Sequence, residues 1–380
     1  MSRVLRGGRV RRVVSVVGTR PEAIKMAPLA RALAARPGIE HRVVLTGQHQ
    51  HLAPLFWALP PEAVRQLAFN PVKRSDSGLR EALHRLLCGA FAGVPADLVL
   101  VHGDTATAVA AAFAARDCAI PIGHVEAGLR SGNFKQPWPE EGNRVVIDAL
   151  ADLLFAPTEA AADNLRREPR VRGRVVVTGN TGIDALFAAR GAGHGASAVR
   201  EETGLKTIVV TCHRKENQGP PVAAVCEALK RLARMEAVEI VLPLPMNRPI
   251  RKPLEEALAG EPRIRLAEPL RYEEMVRLMD RSWLILTDSG GLQEEGAALG
   301  KPVFVLRSVT ERPEGMATNN LLLVGTDEDT IVAAVSGLLR DPVQYERMSR
   351  PSLAFGDGKA APRIADAIEG WLAAASRRRA

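Results

Sequence analysis

The chain has 380 residues, of which 46% are hydrophobic and 25% are charged, a composition typical of globular domains. At this length we expect two or three domains, each with its own core. No apolar run approaches the 18 or more residues of a membrane span, so the sequence predicts no membrane association.

The net charge of +8 arises at the two ends of the chain. If eight arginines near the ends are left out, basic and acidic residues are equal in number. These eight are Arg3, Arg6, Arg9, Arg11, Arg12, Arg377, Arg378 and Arg379. Solvated tails are therefore the simpler interpretation, and nucleic-acid binding is a remote alternative. The four cysteines are scattered without a CxxC pair, which predicts reduced thiols in a cytoplasmic protein rather than disulfides or a zinc site.

One pattern recurs along the chain: a short Val/Ile/Leu run, a polar turn with glycine, then an Ala- and Leu-rich stretch with helical spacing. Continuous apolar strands alternating with helices predict parallel sheets covered on both faces. The predicted strands are Val13–Val17, Val43–Leu45, Leu98–Val101, Ile120–Ile122, Leu153–Phe155, Val175–Val177, Ile208–Val210, Ile240–Leu242, Ile264–Leu266, Leu284–Leu286, Val303–Leu306 and Leu321–Val324.

This number of strands favours two Rossmann-like, doubly wound α/β domains over one open sheet. We predict an N-terminal domain over residues 1–172 and a C-terminal domain over residues 173–361, because the charged segment between them carries proline and glycine. The amphipathic helix at about 362–380 is a candidate for packing back on the first domain.

Polar motifs follow the strands in both halves of the chain. They include "GTRPEAIK", "HGDT" and "GHVEAGLRS" in the first half, and "TCHRKEN", "TDSGGLQEE" and "RSVTERPEG" in the second. Because ligands of open α/β sheets bind beyond the carboxyl ends of the strands, these motifs predict one site in a cleft between two facing domains.

The segment Thr287–Glu295 is a strand, a Ser-Gly-Gly turn and a helix start. Backbone N–H groups of Ser289, Gly290 and Gly291 would hold a phosphate at the helix N-terminus. Glu294 and Glu295, one turn later, could take sugar or ribose hydroxyls. The alternative is a well-capped helix without a ligand.

Three cations are candidates to clamp a diphosphate: Arg20, Lys25 and Arg312. The alternative for each is a surface charge. The motifs GxxxxGK[ST] and GxSxG do not occur, and only one glycine follows the first strand, so the sequence predicts no NAD site and no α/β-hydrolase.

Five titratable residues lie in or just after strand-end turns: Asp104, Glu126, Glu140, Glu141 and His213. Taken singly, each is more often a helix cap or a structural group than a catalytic one. Together, beside cations and an anion-binding turn, they predict proton transfer with a diphosphate leaving group.

These motifs resemble the non-hydrolysing UDP-N-acetylglucosamine 2-epimerases over about residues 13–372. The resemblance rests on "GTRPEAIKMAPL", "TGQH", "VHGDT", "HVEAGLRS", "PWPEEGNR", "TGNTGIDAL", "CHRKEN", "LTDSGGLQEE" and "GKPVFVLRSVTERPEG", all in family order. It implies a GT-B type fold, a UDP-binding C-terminal domain and a homodimer. It also implies reversible conversion of UDP-GlcNAc to UDP-ManNAc through 2-acetamidoglucal, without NAD or metal.

The resemblance also assigns roles. Asp104, Glu126, Glu140 and His213 match catalytic positions. The substrate-binding positions are Arg20, Lys25, Leu270, Met275, Ser289, Gly290, Gly291, Glu295 and Arg312, of which Leu270 and Met275 would flank the uracil.

Three departures bear on activation by a second UDP-GlcNAc, which the resemblance implies for many relatives. Pro245 and Arg248 replace a histidine and a proline, and His51 replaces a glutamine; we therefore expect weakened or absent activation. The alternatives left open are a GT-B glycosyltransferase, a hydrolysing epimerase and a non-catalytic UDP-sugar-binding protein.

Overall fold

A computed structural model describes residues 9–69, 76–93, 95–134, 138–191, 204–310 and 312–377. The chain divides into unit 1, Met1–Ala185 with Gly356–Ala380, and unit 2, Leu186–Phe355. Four of the terminal arginines, Arg3, Arg6, Arg378 and Arg379, lie outside the described residues. Within the part of the chain that is described, no helix is both long and apolar enough to cross a membrane.

The strands are short and mostly buried. They are β1 (Arg11–Val17), β2 (Ile39–Leu45), β3 (Val64–Gln66), β4 (Leu98–His102), β5 (Ile122–Val125), β6 (Leu153–Ala156), β7 (Arg174–Val177), β8 (Lys206–Thr211), β9 (Val238–Pro243), β10 (Ile264–Ala267), β11 (Leu284–Thr287), β12 (Val303–Val305) and β13 (Leu321–Leu323).

Helices connect successive strands. They are α1 (Arg20–Ala34), α2 (Asp76–Ala92), α3 (Ala106–Asp117), α4 (Glu140–Leu150), α5 (Glu159–Arg167), α6 (Thr181–Gly191), α7 (Pro220–Met235), α8 (Arg248–Leu258), α9 (Tyr272–Arg281), α10 (Gly290–Ala298), α11 (Pro313–Ala317), α12 (Glu328–Arg340), α13 (Pro342–Met348) and α14 (Ala360–Arg377).

Each unit contains one parallel sheet. The order in unit 1 is β3-β2-β1-β4-β5-β6-β7, and in unit 2 it is β10-β9-β8-β11-β12-β13. Both follow the Rossmann order, in which the chain winds outward in one direction and then in the other. The predicted fold class, two Rossmann-like doubly wound α/β units, is confirmed.

Strand β1 shows why the sheet of unit 1 is covered on both faces. Val13 and Val17 belong to a core that includes residues of α1 and α14, whereas Val14 and Val16 belong to a core that includes residues of α2 and α3. Side chains alternate across a strand, so a continuous apolar run supplies both cores.

The division between the units falls later than the predicted boundary after residue 172. Strand β7 pairs with β6 in the first sheet, and α6 begins in unit 1. The charged segment before β7 is therefore a loop within the first sheet. The C-terminal helix α14 belongs to unit 1, where Ile364 and Ile368 share a core with Leu29 and Leu33 of α1.

One strand is displaced along the chain from its predicted position, and one strand was not predicted. The fifth strand begins at Ile122 rather than Ile120, because the N–H of Ile120 donates to the carbonyl of Ala115 and closes the end of α3. His124 is therefore inside β5. The edge strand β3 pairs with β2 and escaped prediction because its three residues include two polar ones.

The buried His41 on β2 makes stability depend on pH. Its Nε2 lies 3.0 Å from Oγ of Ser15, and burial lowers the pKa of His41 to about 3. In the unfolded chain a histidine has a pKa of about 6.5. Unfolding therefore takes up a proton at pH values between these two, and stability falls as the pH falls through that range.

We expect His41 to contribute about 2 kcal/mol to the stability that is lost between pH 7 and pH 5. His41→Gln should remove that contribution, measured as the difference between urea-unfolding free energies at the two pH values. His51→Gln, which changes an exposed histidine, should retain the wild-type pH dependence. An unchanged pH dependence in His41→Gln would contradict this assignment.

Candidate active site

The turn between β1 and α1 is organised by the buried carboxylate of Glu22. Its Oε2 accepts hydrogen bonds from the backbone N–H groups of Gly18 and Thr19, at 2.7 Å each. Its Oε1 accepts a hydrogen bond from Oγ1 of Thr105, in the turn before α3. Burial raises the pKa of Glu22 against the lowering effect of these donors. Glu22 thus joins the β1–α1 turn to the β4–α3 turn.

Glu126 follows β5 and forms an ion pair with Lys25 of α1. Both side chains are about nine-tenths buried, with 11% and 12% exposed. Nδ2 of Asn180 donates to Oε2 of Glu126 at 3.2 Å. Glu126 also has a φ of +67°, a backbone conformation that costs energy for a residue other than glycine and is enriched at functional sites.

His102, the last residue of β4, lies beside this ion pair. Its Nε2 is 3.8 Å from Oε2 of Glu126. Burial, which outweighs the opposing effect of Glu126, lowers the pKa of His102 to about 4. The imidazole is therefore neutral at pH 7, and Lys25 supplies the positive charge beside Glu126.

Asp104 follows β4 and is held by α4. Nη2 of Arg144 lies 2.6 Å from Oδ2 of Asp104, and Nη1 of the same residue lies 3.1 Å from Oε2 of Glu141. Nδ2 of Asn143 donates to the backbone carbonyl of Asp104 at 2.7 Å. Two side chains of α4 therefore orient the Asp104 carboxylate and its turn.

The two adjacent glutamates at the start of α4 have different surroundings. Glu141 is buried and accepts hydrogen bonds from the backbone N–H groups of Ser131 and Gly132, at 3.0 and 3.2 Å. Oε2 of Glu140 is buried and has no hydrogen-bond partner among the described residues. Glu141 therefore supports the loop, whereas one buried oxygen of Glu140 is left without a hydrogen-bond partner among the described residues.

A second buried hydrogen-bond network includes the backbone next to Asp104. Nδ1 of His124 lies 2.6 Å from Oδ1 of Asp148, and its Nε2 lies 2.8 Å from the carbonyl of Gly103. Burial acts to raise the pKa of Asp148, but His124 and Arg130 outweigh it, so the pKa is lowered. This network fixes the backbone of the turn that carries Asp104.

In unit 2, Asp288 orients His213. Oδ2 of Asp288 accepts hydrogen bonds from the backbone N–H groups of His213 and Arg214, at 2.8 Å each, and from Nδ2 of Asn217 at 2.9 Å. Nδ1 of His213 lies 3.1 Å from Oδ1. Burial acts to raise the pKa of Asp288, but His213 and the backbone donors outweigh it and lower the pKa to about 2.

The predicted anion turn is the N-terminus of α10, with Ser289 at the N-cap position. The N–H of Ser289 donates to Oγ1 of Thr287 at 2.9 Å. Arg312 is buried beside the turn, and its Nε donates to Oε1 of Glu294 at 2.8 Å. A Cβ on Gly290 would lie 2.6 Å from the guanidinium carbon of Arg312, whereas a Cβ on Gly291 would meet no atom within 4 Å.

The other predicted substrate-binding residues of unit 2 are in contact with neighbouring side chains. The hydroxyl of Tyr272 donates to Oε1 of Glu295 at 2.8 Å, and burial followed by Glu295 raises the pKa of Tyr272. Leu270 and Met275 are half-buried against a small core formed by residues of β8, β9 and α9.

In unit 1, Arg20 is exposed, and its backbone N–H donates to Nδ1 of His49 at 3.2 Å.

The predicted site residues therefore fall into two groups. In unit 1 the contacts described above bring together α1, which carries Lys25, the turns that carry Asp104 and Glu126, and the start of α4, which carries Glu140. In unit 2 His213 contacts Asp288 just before α10, and Arg312 lies beside Gly290 at the start of that helix. Glu295 lies one turn further along α10.

A profile described as UDP-N-acetylglucosamine 2-epimerase matches residues 31–369. The chain belongs to the UDP-N-acetylglucosamine 2-epimerase family. It is an enzyme, an isomerase, as the resemblance predicted. A Ralstonia nicotianae protein named probable UDP-N-acetylglucosamine 2-epimerase is 43% identical, covering 96% of this chain and 100% of that protein. The Escherichia coli K12 UDP-N-acetylglucosamine 2-epimerase is 42% identical, covering 94% and 98%.

Solved structures of relatives have the same fold. The Staphylococcus aureus MnaA–UDP complex superposes with a TM-score of 0.89 at 39% identity and covers 95% of this chain and 97% of that one. The Neisseria meningitidis UDP-GlcNAc 2-epimerase bound to UDP-GlcNAc has a TM-score of 0.88 at 36% identity, covering 94% and 100%.

Several residues that organise the family's motifs in this chain were not singled out from sequence. Arg144, Asn180, His102 and Asp288 all lie within or beside quoted motifs, but their partners are distant in sequence. Of these four residues, Arg144 could most easily have been identified from the sequence, because it lies three residues after Glu141 on a helix and can pair with it.

The difference between Gly290 and Gly291 provides a matched test of the anion turn. Gly290→Ala would press a methyl group against the guanidinium of Arg312, which is buried and held by Glu294 and therefore cannot move away freely. Overpacking of this kind costs about 1–3 kcal/mol. Gly291→Ala has open space at the same helix N-terminus. We expect urea unfolding to show the loss only for Gly290→Ala. Equal stability of the two variants would contradict the close approach of Arg312.

Proposed function

We propose that this enzyme interconverts UDP-GlcNAc and UDP-ManNAc by inverting C2 of the sugar. The proposal is supported by the names of relatives that match along almost the whole chain. The observation that carries it is the assembly of acid/base groups in unit 1: Asp104 and Glu126 are oriented by ion pairs, and Glu140 retains a buried oxygen without a partner among the described residues.

Direct removal of the C2 proton is difficult, because C2 is not adjacent to a carbonyl. We propose an elimination instead. A carboxylate accepts the C2 proton, the C1–O bond to UDP breaks, and a C1–C2 double bond forms, giving 2-acetamidoglucal and UDP. In the reverse addition UDP attacks C1 and a carboxylic acid delivers a proton to the opposite face of C2. General acid/base groups are thus needed near both faces.

Within this proposal Asp104, Glu126 and Glu140 transfer protons to and from C2. Arg144 and Lys25 hold two of these carboxylates in fixed orientations. Such ion pairs contribute geometry more than net stability, and positioned acid/base groups typically contribute about 10²–10⁴-fold in rate.

Unit 2 would retain UDP through the elimination. The N–H groups of Gly290 and Gly291, the hydroxyl of Ser289 and the guanidinium of Arg312 are donors suited to a diphosphate. His213 would act as a catalytic group on the phosphate side, with Asp288 fixing its Nδ1. Glu295 would bind a hydroxyl group, and Leu270 and Met275 would flank the uracil.

We further propose that Arg20 and Lys25 add positive charge toward the diphosphate. We propose no NAD in this reaction, because elimination and re-addition require no net redox step, and no metal, as the resemblance implies. Assembly as a homodimer and location in the cytoplasm stay predictions from the resemblance and the composition.

The mechanism predicts exchange of the C2 hydrogen with solvent. When UDP-GlcNAc alone is incubated in deuterated water, NMR should show UDP-ManNAc appearing with deuterium at C2 of both sugars. Epimerisation without deuterium would contradict the proton-transfer route. Free ManNAc with UDP would instead indicate a hydrolysing enzyme, and no reaction without an acceptor would favour a glycosyltransferase.

Isosteric changes test the three carboxylates. Asp104→Asn, Glu126→Gln and Glu140→Gln should each lower kcat by about 10²–10⁴-fold with UDP binding retained, measured by calorimetry. Glu159→Gln, an exposed change at the start of α5, serves as the control. Near-wild-type kcat in any of the three variants would remove that residue from the proton-transfer groups.

Activation by a second substrate molecule is a separate question. Pro245 lies just before α8, and Arg248 begins that helix. Because neither supplies the histidine and proline of the related pattern, we expect hyperbolic rates against UDP-GlcNAc. We also expect conversion of UDP-ManNAc without added UDP-GlcNAc. A sigmoidal rate curve, or an absolute requirement for UDP-GlcNAc in that direction, would refute this prediction.

A further inference from the structure

Four side chains with metal-binding atoms meet where α2 packs on α3. His84 and Cys88 are four residues apart on α2, so they lie on the same face of that helix. Asp117 is the last residue of α3, and Cys118 is its C-cap. The sequence prediction of scattered, unrelated cysteines did not anticipate this grouping, because the two pairs are separated by almost thirty residues.

The ligand-type atoms of three of these residues are close together. Nε2 of His84 lies 2.8 Å from Oδ2 of Asp117, and Sγ of Cys88 lies 3.6 Å from the same Nε2. All three atoms lie within 4.8 Å of one another. The thiol of Cys118 is a fourth neighbour: after burial, it is the largest influence that raises the pKa of Cys88.

These separations approach those of a tetrahedral metal site. With metal–nitrogen and metal–sulfur bonds of about 2.0–2.1 Å and 2.3 Å, a tetrahedral centre sets nitrogen and sulfur about 3.5 Å apart. The observed separation for His84 and Cys88 is 3.6 Å. For a metal ion to bind, the distance between Nε2 of His84 and Oδ2 of Asp117 must increase by about 0.5 Å. The side chain of Asp117 is 59% exposed and has room for that movement.

We propose that His84, Cys88 and Asp117, with the thiol of Cys118 beside them, form a binding site for a divalent transition metal ion of the zinc type. Imidazole and thiolate donors favour such an ion over Mg²⁺ or Ca²⁺, which prefer oxygen ligands. The ion would tie the C-terminal half of α2 to the C-terminal end of α3.

This site is separate from the carboxylates of the proposed reaction. Asp104 and Thr105 precede the first turn of α3, whereas Asp117 is the last residue of that helix. A twelve-residue helix is about 18 Å long. A metal ion here would therefore stabilise the helix whose other end carries Asp104, without contact with the reacting sugar, and would raise the stability of the folded chain.

The test is cobalt titration of the full-length, chelator-treated and reduced protein under anaerobic conditions. We expect one Co²⁺ per chain, with the visible absorption of a tetrahedral ion and a near-ultraviolet thiolate-to-cobalt charge-transfer band. Zn²⁺ should displace it. Cys88→Ser should abolish or strongly reduce that band and weaken binding by at least about tenfold, and His84→Ala should weaken binding to a similar extent.

His51→Ala is the matched control, because it removes an exposed histidine outside the cluster and should leave the cobalt spectrum unchanged. Circular dichroism of each variant checks that it is folded, and Cys88→Ser keeps the shape of the side chain while replacing the thiol by a weaker metal ligand. A spectrum without charge-transfer absorption, or equal affinity in the wild type and Cys88→Ser, would overturn the proposal. A Cys88–Cys118 disulfide in freshly isolated protein would do so as well.

Discussion

The buried carboxylate of Glu22 joins two strand-to-helix turns of unit 1, and the arrangement of the acid/base groups depends on it. A buried carboxylate is costly unless its oxygens are hydrogen-bonded. Here two backbone N–H groups of the β1–α1 turn and the hydroxyl of Thr105 satisfy them. The same bonds fix the helix that carries Lys25 against the turn that carries Asp104.

Each principal candidate except Glu140 has a partner that orients it. Arg144 holds Asp104, Lys25 and Asn180 hold Glu126, and Asp288 holds His213. This organisation is typical of sites in which the reacting groups must be positioned before the substrate binds. Glu140 differs because one of its oxygens is buried without a partner among the described residues.

Much of the fold could be predicted from the sequence, whereas the roles of the site residues stay predictions. Parallel strands buried on both faces have continuous apolar runs, and their carboxyl ends lie on the same edge of a sheet. Polar residues such as Asp104 and Glu126 could therefore be assigned to one region. The edge strand β3 could not be predicted, since Val64–Gln66 has no apolar run. The late unit boundary was missed because a charged loop precedes β7 as it would precede a new domain.

The sequence by itself determined the fold class and the family, and it predicted the residue types of the proposed reaction, because strand periodicity and motif order are properties of the linear chain. Only the tertiary structure decided which charges are paired. His213 and Asp288 are 75 residues apart, and the packing of α2 on α3 brings Cys88 to Asp117 and Cys118. Such pairings depend on which helices and turns become neighbours in the fold. The spacing of two residues along the chain does not directly determine the distance between them in the folded protein.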